Sequence, residues 1–540
     1  MSAGASFPAR GRHGAFMPLL AGTFIIAGCA FFPFYRYELT PDGISYVSIA
    51  SQYAAGYWKE AINSYWGPLY SWCLAVLLWL RIPALAGVRV LGLVLGLAVL
   101  FALRRFASVF AMEERMKRCV LWTSAAVVLG FAMDSTTPDL LFTAILLLYF
   151  GLILDPAYPG GGHSGAFCGI LGGLAYLTKS YGLVFFVIHF TLMTVLYLLR
   201  RESVAKRSVI VRHYAAGLVV FCAISFCWIA VLHGKYGVWM TGTTGDFNVR
   251  LAGPQSPGYP NLAHLIAPTS AHAITAWQEP SPSWIARWSV FASRSNVAHE
   301  GRLIYSNLKM AARLSVFAAP LLVVIVPVYV ALCIRRRTKE WTYLLLTIAL
   351  LCGGYLPLII VNRYLWTAEL LIVWMAFRSL EFLTQSSRIP RAAIVAAAFV
   401  LVLSFLRQPV LTMHADFLAD GKLYAESVRL KQSGEIKGRL ASCANWQDSA
   451  YLALRLGLPY YGVPAPDAEA MEAARALNPD YQPPPPQIYE QKEVLKRLSE
   501  ERIDWFLVWP TCPPLPSAVE QAEVRVGDLT LVRLTPNSGN

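Results

Sequence analysis

Long apolar runs separated by short polar segments fill the first 410 residues of the chain. Each run is long enough, or nearly so, to cross the roughly 30 Å hydrocarbon core of a bilayer as a helix. The runs fall at about 15–34, 85–103, 119–133, 140–154, 165–178, 181–199, 214–233, 311–334, 341–360, 365–380 and 392–406. The pattern predicts a polytopic α-helical membrane protein with eleven crossings, or twelve if a further run at 67–82 also crosses.

Basic residues set the predicted orientation of these helices, because loops rich in Lys and Arg stay in the cytoplasm. Three such loops hold Arg104, Arg105, Arg115, Lys117 and Arg118; Arg200, Arg201, Lys206, Arg207 and Arg212; and Arg335, Arg336, Arg337 and Lys339. The N-terminus then lies inside. The outward segments are 35–66, 134–139, 179–180, 234–310, 361–364 and everything after 407. A crossing at 67–82 would break this order, so we expect that run to dip in from the outer face.

The chain changes character after residue 410, where polar and apolar positions become mixed. Here "GRLASC" and "DWFLVW" predict buried strands, "NWQDSAYLALRLG" and "YEQKEVLKRLSEERI" predict amphipathic helices, and "EVRVGDLTLVRL" predicts a hairpin. We therefore divide the chain into a membrane domain at 1–410 and a small periplasmic α/β domain at 411–540. Cys443 and Cys512 each follow a predicted strand, so a disulfide and two free thiols are both open.

Composition argues against a soluble protein, against nucleic-acid binding and against a structural metal site. Only 14% of the residues are charged, whereas soluble domains hold about a quarter. The net charge of +14 comes from the basic loops, and no basic soluble domain exists to bind nucleic acid. The ten cysteines show neither a CxxC pair nor a Cys/His ligand spacing, which argues against a structural metal site.

Five ionisable residues lie at the predicted outer ends of the helices: Asp42, Asp134, Asp139, Lys179 and Arg363. Charges at such depth are costly and usually mark function. Each acid also fits the ordinary role of a helix cap. Taken together, the set suits a phosphate-bearing lipid whose reaction needs a carboxylate base and cations for the departing phosphate.

Asp42 begins a segment with helical spacing and many tyrosines. Ile44, Val47 and Ala54 form an apolar stripe. Tyr46, Tyr53 and Tyr57 form an aromatic stripe beside it. This arrangement predicts a short helix in the membrane interface, with its tyrosines at headgroup depth and Asp42 at its N-terminus.

The order of the outward motifs carries a family resemblance. After the first helix come "D-x-x-x-Y" and "Y-W-x-P-L-Y", then "T-P-D-L-L", "L-T-K" and "N-R-Y-L". Over residues 15–380 this order resembles the GT-C superfamily of integral membrane glycosyltransferases. It is most similar to the family 39-like branch, with protein O-mannosyltransferases and the bacterial lipid A aminoarabinose transferase. The α/β region after the last helix is similar to the periplasmic domains of many bacterial members.

The resemblance implies an inverting transfer of sugar from a polyprenyl-phosphate donor to an acceptor hydroxyl, on the periplasmic side of a bacterial inner membrane. It implies that Asp42 is the general base and that Asp139, with Asp134 as the alternative, is the acid of the second outer loop. Lys179 and Arg363 would bind the lipid phosphate. The residues that would shape the acceptor or sugar site are Tyr46, Tyr65, Trp66 and Tyr364.

The sequence departs from the family pattern at two positions. Gly43 stands where many relatives have a second acid, and Gly67 stands where some have a Lys. Because Asp42 alone is a poor ligand for a divalent ion, we expect transfer without a metal, and no other cofactor is implied. The loop at 234–310 is long enough to cover the site and select the acceptor.

Two other classes of function stay open. A transporter or flippase of a lipid-linked glycan would need polar residues through the membrane midplane and often two related halves. A non-catalytic adaptor would work through its C-terminal domain. The sugar, the acceptor and the length of the prenyl chain do not follow from the sequence.

Overall fold

The computed structural model describes residues 15–110, 112–158, 162–199, 205–336, 339–386, 390–466, 468–481, 491–512 and 523–534. Arg200, Arg201 and Arg337 of the predicted cytoplasmic loops lie outside these ranges. Up to residue 415 the helices are α1 (Phe16–Tyr35), α2 (Pro41–Ala55), α3 (Trp58–Ala61), α4 (Pro68–Trp79), α5 (Ala84–Val109), α6 (Glu114–Asp134), α7 (Asp139–Ile153), α8 (Ser164–Thr178), α9 (Tyr181–Leu198), α10 (Arg207–Tyr236), α11 (Thr244–Leu251), α12 (Arg294–Ala318), α13 (Leu322–Arg336), α14 (Lys339–Gly353), α15 (Trp366–Ser386) and α16 (Arg391–Ala415).

Short 3-10 helices interrupt the loops, at Pro260–Leu262, Ala276–Gln278, Pro282–Trp284, Val290–Ala292 and Asn362–Leu365. The C-terminal region adds α17 (Gly421–Ser433), β1 (Leu440–Ser442), α18 (Trp446–Leu456), α19 (Ala468–Leu477), α20 (Gln491–Glu500), β2 (Trp505–Val508), β3 (Glu523–Val526) and β4 (Leu529–Arg533). The fold class is confirmed: a polytopic helical membrane protein carries a small α/β domain.

Six helices in the described ranges are long and apolar enough to cross a bilayer, namely α1, α5, α6, α9, α10 and α16. Four others are apolar but shorter, with 10–17 residues. At 1.5 Å per residue, the 15 residues of α7 or α8 rise about 22 Å. The count of eleven crossings therefore stays a prediction. The 12 residues of α4 rise only about 18 Å, as expected for a helix that does not cross.

One predicted span is wrong as a continuous helix. The run at 311–334 divides between α12 and α13, which meet at an angle of 103°. Pro320 lies in the break, and its ring removes a backbone donor and disfavours helical geometry in the residue before it. The break is stabilised by the Leu321 backbone N–H, which donates to Ser404 Oγ at 3.2 Å.

Glycines allow α8 and α10 to pack at close range. A Cβ atom added to Gly165 would lie 2.1 Å from the His213 carbonyl oxygen, and one added to Gly169 would lie 2.2 Å from that of Gly217. Membrane helices associate through such small residues, because lipid offers little hydrophobic driving force.

The C-terminal domain is built on a four-stranded sheet in the order β1-β2-β4-β3. β1 and β2 pair in parallel, whereas β4 pairs antiparallel with both β2 and β3. Each strand and helix predicted from a quoted segment is present. A disulfide joins Cys443 and Cys512, whose Cα atoms are 6.2 Å apart. α16 runs through the predicted boundary at 410 and ends at Ala415.

The C-terminal domain packs directly on the chain between α1 and α2. Tyr451 Oη donates to the Tyr37 carbonyl at 2.9 Å, and the Tyr37 ring stacks on Tyr424 with centroids 4.1 Å apart. The Leu39 N–H donates to Asp420 Oδ2 at 3.1 Å. These contacts fix the position at which α2 begins.

Candidate active site

A cavity of about 570 Å³ lies where the starts of α2 and α7, the α8–α9 turn and the loop before α15 meet. Asp42, Asp139, Lys179 and Arg363 all line this cavity. Four of the five ionisable residues singled out in the sequence therefore converge, although 321 positions separate Asp42 from Arg363.

The first turn of α2 holds Asp42 at the cavity wall. Thr40 is the N-cap, with its side chain accepting from the Gly43 N–H at 3.2 Å, and Pro41 follows at the first helical position. The cap role is thus filled by Thr40, which leaves the Asp42 carboxylate free to face the cavity. Trp277 Nε1 donates to Asp42 Oδ1 at 3.0 Å, and Arg363 Nη2 donates to Oδ2.

Asp139 forms the second carboxylate of the cavity at the first turn of α7. Lys179 Nζ donates to its Oδ1 at 2.6 Å, and Thr137 Oγ1 donates to its Oδ2 at 2.7 Å. Arg363 Nε lies 3.4 Å from the same Oδ2. Two acids and two cations therefore form one network, in which Arg363 joins both acids.

Two neighbouring carboxylates stabilise the charged form of Arg363. Burial works against the cation, but Asp42 and Asp139 together raise its pKa above the ordinary value. Its Nε has no hydrogen-bond partner among the described residues, since the 3.4 Å contact with Asp139 is an ion pair only. The Arg363 side chain nevertheless lines the cavity, so its positive charge can act on a ligand there.

Aromatic rings surround the charged network. Tyr46, Tyr65, Trp66 and Tyr364 line the cavity, and Lys179 Nζ lies 4.0 Å from the centre of the Tyr364 ring. Burial raises the pKa of Tyr46 and Tyr65 well above the usual value, so both phenols stay neutral.

The predicted tyrosine stripe at headgroup depth is wrong for Tyr46 and Tyr53, whereas Tyr57 is 42% exposed. Tyr46 and Tyr53 of α2 are only 3% and 7% exposed. Both rings pack on other aromatic side chains, with Tyr46 against Trp66 and Tyr70. The helix is covered by protein on the face where an interfacial helix would meet lipid headgroups.

Trp277 is the site residue that sequence analysis missed. It lies in the 3-10 helix Ala276–Gln278, within a loop expected to cover the site. The neighbouring Gln278 accepts from Ser48 Oγ at 2.6 Å and donates to Gln52 at 3.0 Å, while Asn63 Nδ2 donates to the Gln278 carbonyl at 2.7 Å. These buried bonds place the Trp277 indole on Asp42, and no periodic pattern in the loop marks this position.

The cavity has two chemically different walls. The long loop contributes polar side chains on one side, which are Thr241, Thr244, Asp246, Asn248 and Tyr259. The other wall is apolar and comes from α9, α14 and the chain after α14, through Leu183, Val184, Ile188, Leu350, Leu358 and Ile359. Val184 and Ile188 are about half exposed on an apolar helix, so this wall continues to the lipid-facing surface.

Asp134 does not line the cavity. Its carboxylate lies with those of Glu38 and Asp416, and one oxygen from each falls within 4.8 Å of the others. The buried Arg89 adjoins this acidic cluster and donates to Glu38 Oε2 at 3.3 Å. Of the two alternatives for the second-loop acid, the geometry favours Asp139.

Both departures from the family pattern occur where a side chain would not fit. A Cβ atom added to Gly43 would lie 2.5 Å from Thr136 Oγ1, and one added to Gly67 would lie 2.4 Å from the Thr178 carbonyl oxygen. The absence of a second acid after Asp42 is therefore built into the packing of α2 on the chain before α7.

No family model matches the sequence, and no curated protein is similar to it. The fold is nevertheless shared with solved structures. ArnT from Cupriavidus metallidurans bound to undecaprenyl phosphate superposes with a TM-score of 0.57 at 13% identity, over 96% of this chain and 98% of that one. Its apo state gives 0.58 at 12%, over 97% and 98%.

The apo oligosaccharyltransferase of Archaeoglobus fulgidus superposes with a TM-score of 0.52 at 10% identity, over 93% of this chain and 70% of that one. Likeness at such low identity concerns the fold. The chain therefore shares its fold with these transferases, as its motif order predicts, and its polytopic helical domain is followed by a small α/β domain.

Proposed function

We propose that this protein is an inverting glycosyltransferase that moves a sugar from a polyprenyl phosphate to an acceptor hydroxyl, in the inner membrane of a bacterium with the site facing the periplasm. The observation that carries the proposal is the joining of Asp42 to Asp139 and Lys179 through Arg363 in one cavity. A carboxylate base and two cations thus lie within reach of one reacting group.

In the proposed reaction, Asp42 accepts the proton of the acceptor hydroxyl as its oxygen attacks the anomeric carbon. The new carbon–oxygen bond forms while the bond from that carbon to the phosphate oxygen breaks, and its electron pair leaves with the polyprenyl phosphate. Arg363 and Lys179 stabilise the negative charge on the departing phosphate. Arg363 exchanges part of its contact with Asp42 for the phosphate, which frees the base.

The two walls of the cavity support the lipid-linked donor. An isoprenoid chain suits the apolar wall that carries Val184 and Ile188, and a sugar suits the polar wall that carries Asn248 and Tyr259. The solved ArnT structure with undecaprenyl phosphate adds support, because that ligand class is bound within the same fold. Transfer without a metal remains part of the proposal.

The test follows a radiolabelled polyprenyl-phosphate hexose with protein in nanodiscs and a crude membrane extract as acceptor. Sugar transfer and release of polyprenyl phosphate are measured for the wild type, Asp42→Asn and Asp416→Asn. Asp416 is a matched control because its carboxylate lies in the acidic cluster outside the cavity. We expect turnover that is lost in Asp42→Asn and kept in Asp416→Asn, since a general base contributes about 10²- to 10⁴-fold.

Two results would contradict the proposal in different ways. Equal turnover in wild type and Asp42→Asn would keep the transferase but remove Asp42 as its base. No turnover with any of several donors, together with movement of labelled lipid between leaflets, would favour the transporter or flippase.

A further inference from the structure

A second charged feature lies outside the cavity, at the elbow between α12 and α13. α13 is apolar and ends at the basic residues Arg335 and Arg336. With α13 directed across the membrane, the 103° bend lays α12 nearly in the membrane plane. Asn307 of α12 donates to the Leu356 carbonyl at 2.8 Å, so α12 lies on the same face as the cavity.

Three cations form a row at this elbow. Lys309 and Arg313 are four residues apart on α12 and therefore share one face of it, and Phe317 follows after four more. Arg407 of α16 reaches the same place, since its guanidinium carbon lies 4.8 Å from the centre of the Phe317 ring. Its Nη1 also donates to the Phe317 carbonyl at 2.7 Å.

The row lacks ion-pair partners. Lys309, Arg313 and Arg407 are all exposed, and no carboxylate in the described part of the chain lies within 4.0 Å of their charged nitrogens. Elsewhere on the same helix, Arg302 is paired with Asp480 at 2.6 Å. Cationic charge thus collects at the elbow and faces outward.

The surroundings of the row are apolar. Large hydrophobic side chains on the same stretch of α12 and α16 are exposed, namely Leu308, Val316, Phe317, Leu403 and Val410. α16 is one of the helices that can cross the bilayer. Cations bordered by lipid-facing side chains lie at headgroup depth, where long side chains extend toward phosphate.

We propose that Lys309, Arg313 and Arg407 form a binding site for the phosphate of an anionic phospholipid in the leaflet on the cavity side. The apolar residues around the row contact the acyl chains, which distinguishes a lipid from a soluble anion. Because α12 holds the Leu356 and Leu358 carbonyls through Asn307, the bound lipid fixes the segment that leads to Arg363. The site is separate from the cavity and does not depend on the reaction proposed for it.

The test measures binding of phosphatidylglycerol to the purified full chain in detergent by native mass spectrometry, with phosphatidylcholine as the uncharged comparison. The test variant combines Lys309→Gln, Arg313→Gln and Arg407→Gln. The control variant removes the same charge from exposed positions of the C-terminal domain through Arg429→Gln, Lys431→Gln and Lys437→Gln. A third variant, Arg313→Lys, keeps the charge.

We expect the apparent Kd for phosphatidylglycerol to rise about fivefold for each cation removed and roughly 100-fold for all three. The control variant and Arg313→Lys should stay within about twofold of wild type, which would also show that net charge and folding are not the cause. Equal binding of the two lipids by the wild type, or an equal loss in the control variant, would overturn the proposal. A third result would also overturn it: the triple variant loses binding of a phosphorylated acceptor glycolipid while its binding of phosphatidylglycerol is unchanged.

Discussion

Two groups of carboxylates each take one member from the short stretch after α1, Glu38 or Asp42, yet they have opposite electrostatic character. In the cavity, Asp42 and Asp139 each contact a cation, and Arg363 joins them. Four residues before Asp42, Glu38 lies in the acidic cluster with Asp134 and Asp416. There Arg89 is shared among Glu38 and three backbone carbonyls.

The two groups, which adjoin the chain between α1 and α2, differ in how their negative charges are balanced. In the open cavity, Asp42 lies against the Arg363 guanidinium where a bound phosphate could also reach that cation. In the acidic cluster, burial raises the pKa of Glu38 to about 8, against the opposing effect of Arg89. That cluster lies where the membrane helices meet the C-terminal domain. We therefore expect its acids to affect the stability of this junction and not the reaction in the cavity.

Arg363→Gln should give the largest effect on the cavity. The change leaves Asp42 and Asp139 near each other without the guanidinium between them, and it removes a donor from the departing phosphate. We expect kcat/KM for sugar transfer to fall about 10²- to 10³-fold. Steady-state kinetics with a labelled donor measure this. Arg302→Gln, which breaks a surface pair with Asp480, is the matched control, and an equal loss in both variants would remove the special role of Arg363.

Lys179→Gln should have a smaller effect, because this cation pairs with one carboxylate of the described residues, Asp139, whereas Arg363 joins two. We expect about a tenfold loss in kcat/KM, with a clear rise in KM for the donor, since one charge on the phosphate is no longer balanced. Varying the donor at saturating acceptor separates the two constants. Lys422→Gln, at an exposed pair with Asp528, should leave both constants unchanged. A fall in kcat at constant KM would place Lys179 away from the phosphate.

Trp277→Phe tests the positioning of Asp42. The substitution keeps the ring among Tyr65 and Trp66 but removes the N–H that donates to the carboxylate. Since a hydrogen bond to a charged group contributes about 1.5–3 kcal/mol, we expect kcat to fall about tenfold or more, with KM for the donor little changed. Trp288→Phe, which loses a bond to the Val249 carbonyl instead, is the control. Wild-type kcat in Trp277→Phe would contradict this role.

Sequence reasoning found the ionisable residues because each breaks an apolar pattern at the end of a helix. It could not find Trp277, since one Trp in a long loop carries no periodicity, and only buried bonds through Gln278 place it on Asp42. The failures at Tyr46 and at the run 311–334 have another origin. A helical pattern reports which face is apolar but not whether protein or lipid covers it, and Pro320 turned one hydrophobic run into two helices.

The pH dependence of stability should report on the acidic cluster and give the smallest effect. Burial raises the pKa of Glu38 to about 8 and that of Asp420 to about 6. The native state therefore holds protons that the unfolded chain releases, so this stability is complete below the unfolded pKa, near 4.5 for Glu38. It declines as pH rises toward 8.

The midpoint of thermal unfolding in detergent should therefore fall by a few degrees between about pH 5 and about pH 9. Glu38→Gln keeps an oxygen for Arg89 and carries no charge at any pH, so it should flatten that decline. The exposed Glu435→Gln should leave it unchanged. Transfer activity at neutral pH should be similar in both variants, because Glu38 lies outside the cavity network. A variant that flattened the decline but also abolished transfer would instead show that the acidic cluster and the cavity act as one unit, joined through the start of α2.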